Sequence, residues 1–327
     1  MLDVCLLGTG GMQPLPWRRL SATLVRAGAG LLLIDCGEGT QIAVRERGWG
    51  LRNLSAILLT HLHADHVLGL PGLLLTLGHS GKGPDDPLTV YGPEPLIPVV
   101  QGLMRAAGNL PYPLQLEVLQ GGEQFAPMGV PEVAVSSLRL DHGVPCLAYS
   151  MAIGREPRFD PDRARALGVP LPSWRRLQHG GAVEVEGRIV QPDEVRGPAR
   201  RGLRLVLATD TRPTPGLSAF LRADGGTDLF IADGMYGDEE NKPTRWEAQH
   251  MTFAEAATLA RDGAAPVADA LQPLAARSPG LPRPRHRDLP RHHHRPRRPD
   301  RHARLRRGLA LRRPAYSIAV PMGPMGR

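Results

Sequence analysis

Six residues constrain this chain more than any others: His61-Leu62-His63-Ala64-Asp65-His66, directly after the apolar run Ala56-Ile57-Leu58-Leu59-Thr60. A short apolar run of this kind reads as a buried strand, so the cluster falls where a strand ends and a loop begins. In extended backbone His61 and His63 project to the same side and can grip one metal ion. Asp65 and His66 then reach round the turn toward a second. Neutral imidazole with carboxylate suits Zn(II), and Mn(II) or Fe(II) are also accommodated.

The stretch resembles the HxHxDH signature of the metallo-β-lactamase superfamily, and further segments narrow the resemblance to one branch. Gly8-Thr9-Gly10-Gly11-Met12 follows the strand-like Val4-Cys5-Leu6-Leu7. Leu32-Leu33-Ile34 leads into Asp35-Cys36-Gly37-Glu38-Gly39-Thr40-Gln41. Then come Asp141-His142-Gly143, Thr209-Asp210-Thr211-Arg212-Pro213, Ala232-Asp233-Gly234-Met235-Tyr236 and His250-Met251-Thr252. In that order, over about residues 1–263, these segments resemble ribonuclease Z, the tRNA 3′-processing endoribonucleases. HxHxDH alone points to the superfamily; DCGEGTQ with TDTRP points to the branch.

The resemblance implies an α/β fold, the four-layer αββα sandwich, and a zinc-dependent cut of precursor tRNA just past the acceptor stem, leaving a 3′-hydroxyl. It implies two Zn(II) per subunit, with Mn(II) possible. One ion would take His61, His63 and His142; the other would take Asp65 and His66, with Asp210 bridging the two. Asp65 would also act as general base, and His250 would stabilise charge on the scissile phosphate or protonate the leaving oxygen. Asp233 stands where the family more often carries Glu, the residue that orients this histidine, so the pairing has a shorter side chain to work with. The Arg-Asn pair usual after the first loop is Arg18-Arg19 here. The family usually works as a homodimer. Another phosphodiesterase or sulfatase of the same fold is the alternative enzyme.

Charge divides the chain. The net +8 suggests a nucleic-acid binder, yet residues 264–327 hold 15 Arg and no Lys against 3 Asp, a net of +12. Residues 1–263 hold 25 basic and 29 acidic residues, a net of −4. Cys5, Cys36 and Cys146 are far apart with no CxxC spacing, which fits free thiols inside the cell. The N-terminus has no basic region with a small-residue cleavage site, and no apolar stretch approaches the roughly 20 residues that span a bilayer. A cytoplasmic protein without a membrane segment is expected.

Short apolar runs at 3–7, 22–26, 31–35, 56–60, 88–91, 114–118, 133–139, 147–153, 203–208 and 228–233 read as strands. Helical patterns fall at 39–46, 71–77, 96–107 and 253–261. The last is preceded by Thr252 with Glu255 three residues on, a capping box. Residues 155–200 have another texture, charged and broken by Pro157, Pro161, Pro170, Pro172, Pro192 and Pro198. Ala166–Pro170 and Trp174–Leu177 resemble the segment around the tRNA-gripping arm of bacterial ribonuclease Z, where proline stiffens and arginine contacts phosphate. The alternative is a long surface connection without a partner.

The pattern breaks after Gly263. The family's second ion is completed by a histidine in a Leu-Thr-His-Phe-Ser type motif on a last strand, and none follows here. Instead residues 281–307 read LPRPRHRDLPRHHHRPRRPDRHARLRR, a composition typical of a GC-rich gene read out of frame. Val267–Leu274 can be encoded as GTG GCT GAC GCA CTT CAG CCC CTN. One nucleotide later the same bases read Trp-Leu-Thr-His-Phe-Ser-Pro. A slip between about Gly263 and Val267 is therefore expected, with residues 264–327 an out-of-frame, disordered tail. The competing reading is a genuine basic tail that binds RNA through its phosphates, in an inactive RNA-binding protein. Either way the chain as written is expected to be impaired.

Overall fold

The structure, a computed structural model, describes residues 2–237 and 249–264 and the backbone of 316–321. A second unit, 267–314, lies wholly outside the described residues, and with it most of the expected tail and the proposed slip region.

Strand alternation sorts the apolar side chains into layers. The first sheet runs in order β1 (Leu2–Gly8), β2 (Ala22–Ala27), β3 (Gly30–Ile34), β4 (Leu54–Leu58), β5 (Leu88–Gly92) and β6 (Leu114–Val118). Its first three strands pair antiparallel and the rest parallel. Along β3, Leu31 and Leu33 pack with Val44, Leu70, Leu73 and Leu77, which belong to α1 (Thr40–Arg47) and α3 (Leu70–His79). Between these helices lies the single turn α2 (Ala64–Val67), and α4 (Leu96–Met104) covers the same face. Leu32 and Ile34 point the other way, into a core shared with the second sheet.

That second sheet contains β7 (Gln124–Phe125), β8 (Val133–Asp141) and β9 (Pro145–Arg155). After a hairpin of β10 (Val183–Val185) and β11 (Arg188–Val190), it continues with β12 (Arg200–Ala208), β13 (Leu229–Gly234) and β14 (Tyr316–Pro321), in the order β14-β13-β12-β9-β8-β7. Val135, Tyr149, Met151, Leu205, Leu207 and Ile231 meet the first sheet. The alternate residues Val206, Ala208 and Phe230 meet Leu217 and Leu221 of α7 (Pro215–Arg222), and Ala256 and Leu259 of α8 (Phe253–Gly263). Three apolar interfaces thus separate four layers, helices outside and sheets inside: the αββα sandwich. The capping box of Thr252 and Glu255 opens α8 as the spacing predicts.

Residues 155–200 leave at the end of β9 and return at the start of β12, whose Arg155 and Arg200 are register partners. In between lie α5 (Pro161–Ala166), α6 (Trp174–Gln178) and the β10–β11 hairpin. They enclose a small core of their own, in which Ala164, Val169, Leu177, Val183, Val190 and Val195 are buried. Proline and charge hide this core from a periodicity argument.

Six residues of the expected tail are described as a strand. Tyr316–Pro321 pairs parallel with β13, Val320 opposite Asp233 and Pro321 opposite Gly234. The local reason is composition: Tyr-Ser-Ile-Ala-Val is a β-prone run in an Arg- and Pro-rich setting, and the edge of β13 offers it a ladder. The remainder of 265–327 lies outside the described residues.

Candidate metal centre

Chain ends from both sheets converge on one buried cluster. His61 lies three residues past the end of β4, and the turn is fixed from the second sheet. Leu147 N–H donates to Thr60 O at 2.8 Å, and the Tyr149 hydroxyl donates to Leu59 O at 2.7 Å. The turn after β3 clamps it from the other side. Cys36 N–H donates to His66 O and Gly69 N–H to Cys36 O, both at 2.8 Å. The approach is close enough that a Cβ at Gly69 would lie 2.1 Å from Gly37 O, so glycine is required there.

Among the described residues three groups of donors result: His61, His63 and His142; His61, His66 and Asp210; and Asp210, Asp233 and His250, the ligand atoms of each lying within 4.8 Å of one another. In the first, His61 Nε2 is 3.0 Å and His142 Nε2 3.4 Å from His63 Nδ1. His142 is presented just past β8, where Arg212 pairs with Asp141 at 2.7 Å. In the second, His66 Nε2 lies 2.9 Å from Asp210 Oδ2, and His61 Nε2 lies 3.7 Å from the same oxygen. In the third, His250 Nδ1 is 2.9 Å from Asp233 Oδ2 and 3.1 Å from Asp210 Oδ1. The shorter Asp233 therefore spans the distance for which the family more often uses Glu. Asp65 stands slightly apart: its Oδ2 accepts Met12 N–H at 3.1 Å and lies 3.6 Å from His66 Nε2. Among the described residues, His61, His63, His66, His142, Asp210, Asp233 and His250 fall in these groups, and Asp65 lies beside them. His79 and His179, set aside there, belong to none of the groups.

The donor set fits a divalent cation. His66 Nε2, His142 Nδ1 and both carboxylate oxygens of Asp210 are buried without a hydrogen-bond partner, a costly state for polar atoms unless a ligand satisfies them. The 2.9 Å approach of His66 to Asp210 is electrostatic contact without hydrogen-bond alignment, as expected of two atoms aimed at a shared ion. Charge is distributed unevenly over the cluster. Burial, then the neighbouring His66 ring, push the His61 pKa down to about 2, leaving it neutral as a ligand must be. Burial opposes a charge on His66, but the Asp35 and Asp210 carboxylates beside it overcome that and hold its pKa well above the usual value. Burial likewise opposes a charged His250, and Asp210 and Asp233 raise it to about 10. Burial raises Asp233 to about 6. Asp210, despite burial, is held well below the carboxylate range by His66 and His250.

Asp35 is a site residue to which sequence reasoning assigned no role. Its Oδ2 lies 2.8 Å from His66 Nδ1, and its Oδ1 accepts Thr60 N–H at 2.8 Å. Asp35 and Asp210 both adopt the left-handed backbone region, with φ 58° and 50°. Non-glycine residues take that region mainly where surrounding structure enforces it, often at functional sites. A signal was available: a carboxylate ending an otherwise apolar buried run.

The metallo-beta-lactamase superfamily pattern matches residues 15–145. Ribonuclease Z of Clostridium kluyveri is 45% identical over 262 residues, covering 80% of this chain and 84% of that protein. Ribonuclease Z of Lachnoclostridium phytofermentans is 44% identical over the same coverage. Among solved structures, the short form of human tRNase Z superposes with a TM-score of 0.59 at 23% identity, over 80% of this chain and 89% of that one, a likeness of fold. On this identity and coverage, the chain belongs to the ribonuclease Z family of the metallo-β-lactamase superfamily.

Proposed function

We propose that this protein is an endoribonuclease that removes the 3′ trailer of precursor tRNA, cutting just past the acceptor stem and leaving a 3′-hydroxyl. The observation that carries the reading is Asp210, buried with both oxygens unpartnered between His61 and His66 on one side and His250 on the other, in a chain 45% identical to a ribonuclease Z.

His61, His63 and His142 would hold one Zn(II), and Asp65 and His66 the other, with Asp210 shared; Mn(II) is an alternative. Bound ions would polarise a phosphodiester and lower the pKa of water. The remaining work belongs to side chains. Asp65, steadied by Met12 N–H, takes the proton of the attacking water. Asp233 holds His250 through Nδ1, which leaves Nε2 to serve the scissile phosphate or the leaving oxygen. Segment 155–200 is the arm that grips tRNA.

A homodimer fits the exposed apolar Ile42, Leu68 and Leu75 on α1 and the α2–α3 segment, side chains a second copy would cover. The cytoplasm fits the substrate, and among the described residues no helix is long and apolar enough to cross a membrane.

End-mapping of a trailer-bearing tRNA after incubation with protein and Zn(II) tests the reading. One cut past the acceptor stem with a 3′-hydroxyl is expected. Hydrolysis of small phosphodiesters without any cut in tRNA would instead favour another phosphodiesterase of this fold. A second reading, RNA binding without cleavage, has one observation in its favour: the strand beside β13 is Tyr-Ser-Ile-Ala-Val-Pro, with no histidine to bring to the cluster.

A further inference from the structure

Trp17 is 80% exposed, more than any other large apolar side chain among the described residues. The two other tryptophans described are both packed. Trp49 lies against the first core, with the Arg26 guanidinium 4.6 Å from its ring. Trp174 donates its Nε1–H to Val169 O at 3.0 Å and stands 5.3 Å from the Phe159 ring. Among the described residues no other ring and no cation lies against Trp17. Met12 and Leu15, on the same loop, are exposed as well. A lone exposed apolar side chain calls for no explanation; a bare indole with two more apolar side chains on a fixed loop does.

The loop holds that ring still. Arg18 N–H donates to Leu15 O at 3.1 Å and Leu15 N–H to Arg18 O at 2.9 Å, closing a tight turn with Pro16 and Trp17 at its tip. Proline fixes the first residue of the tip. Below it the Arg18 guanidinium is committed to Thr9, Nη2 donating to the carbonyl at 2.6 Å and Nε to the hydroxyl at 3.2 Å. Thr9 N–H and Gly10 N–H donate to Arg19 O at 3.0 and 2.8 Å. Both ends of the loop also rest on the turn of the metal cluster. Met12 N–H reaches Asp65 Oδ2, and a Cβ on Gly37 would lie 2.5 Å from both Asp65 O and Leu20 Cβ. Even fully extended, the chain from Met12 would place Trp17 no more than about 18 Å away, and the turn shortens that.

An apolar ring on a rigid tip beside a phosphodiester-cleaving site suits a nucleobase. Bases stack on aromatic side chains whatever their identity, and single-stranded RNA is held in this way. The proposed chemistry tells which part of the strand lies there. In an in-line displacement the attacking water and the leaving 3′-oxygen are on opposite sides of phosphorus. Asp65 serves the water and His250 the leaving oxygen, which belongs to the mature tRNA. The loop stands with Asp65, so Trp17 is on the side of the trailer.

We propose that Trp17 stacks on one of the first two bases of the trailer and so helps to seat the strand that is to be removed. The proposal rests on the reading of the protein as a nuclease that cuts precursor tRNA. Stacking there tolerates any base sequence, and it favours an unpaired trailer over a paired one, whose bases are already stacked.

The test uses the full chain in Zn(II) and a precursor tRNA with a methylene in place of the 3′-bridging oxygen at the cut, so that the strand stays whole. Affinity is measured for wild type, Trp17→Ala and Trp17→Phe, each with the ordinary trailer and with its first two nucleotides made abasic. Expected for Trp17→Ala is about tenfold weaker binding, with Trp17→Phe close to wild type because a ring remains. The abasic trailer should weaken wild type by about tenfold as well, and Trp17→Ala no further. 2-Aminopurine at one of the two positions should lose emission on binding wild type and keep it with Trp17→Ala. The thermal midpoint should not move, since the side chain is exposed. Unchanged affinity in Trp17→Ala would overturn the proposal, as would a loss that is the same with and without the two bases. So would a Trp17→Ala chain that sediments as a smaller species than wild type, which would make the ring a contact between two copies. If wild type itself binds no precursor tRNA, the underlying functional reading fails too, an outcome distinct from a defect confined to the variants.

Discussion

His66 Nδ1 lies 2.8 Å from Asp35 Oδ2, and both side chains are almost wholly out of solvent. That contact settles which nitrogen His66 turns to the cluster: Nε2, 2.9 Å from Asp210. A carboxylate behind a ligating imidazole fixes the ring and raises its basicity. Asp35→Asn keeps the shape and the tolerated left-handed backbone but removes the charge. Metal affinity should fall by about 10- to 100-fold, read by competition with a chelating dye. Equal affinity in the variant would remove Asp35 from the account.

Metal content tests the donor set itself. Chelation should lower the thermal midpoint, and Zn(II) should restore it, since a ligand bound only by the folded state stabilises that state. Calorimetric titration of the chain as written should show one tight equivalent, at His61, His63 and His142. A second, weaker equivalent is expected at Asp65, His66 and Asp210, because Tyr316–Pro321 brings no histidine to β13. Two equally tight ions per chain would contradict the idea that a ligand is missing.

The proposed mechanism makes His250, held by Asp233, a proton donor or charge stabiliser, although it also falls in a donor group with Asp210 and Asp233. His250→Ala should therefore lower kcat by about 10²- to 10⁴-fold and leave the metal stoichiometry as it was. Loss of an ion in that variant would make His250 a ligand instead.

Leu32 lies in the sheet–sheet core, wholly buried, while Leu171 in the arm is 72% exposed. Leu32→Ala should cost about 2–5 kcal/mol of stability, and Leu171→Ala should stay within about 0.5 kcal/mol. Denaturant midpoints of the two variants compare them directly, and similar losses would argue against the sandwich core described.

The sequence is most transparent where burial follows a simple period. Leu31 to Ile34 alternate between two cores, and the run reads as a strand because sheets have period two. Thr252 and Glu255 announce α8 because a helix start needs its N–H groups satisfied. His61, His63, Asp65 and His66 are legible because metal chemistry compresses ligands into a short turn. His142, Asp210, Asp233 and His250 are legible only through resemblance, since each is a lone polar residue at or near the end of a strand or before a helix and long-range convergence leaves no local mark. Asp35 escaped notice because it acts through another residue. The arm's core around Leu177 and Val190 was obscured by proline and charge. Tyr316–Pro321 was masked by the Arg-rich composition around it.

We propose a tRNA-cleaving metal site whose last ligand is lost to a one-nucleotide slip after Gly263. A nucleotide read across codons 255–280 shows whether one added or lost base restores Trp-Leu-Thr-His-Phe-Ser. The most direct measurement then compares the chain as written with the frame-restored chain on one precursor tRNA in Zn(II). The account predicts the same cut past the acceptor stem with a 3′-hydroxyl from both, at least about 100-fold faster in the restored chain, in line with an essential catalytic interaction. Equal rates from the two chains, no cut by the restored chain, or a 3′-phosphate product would contradict it.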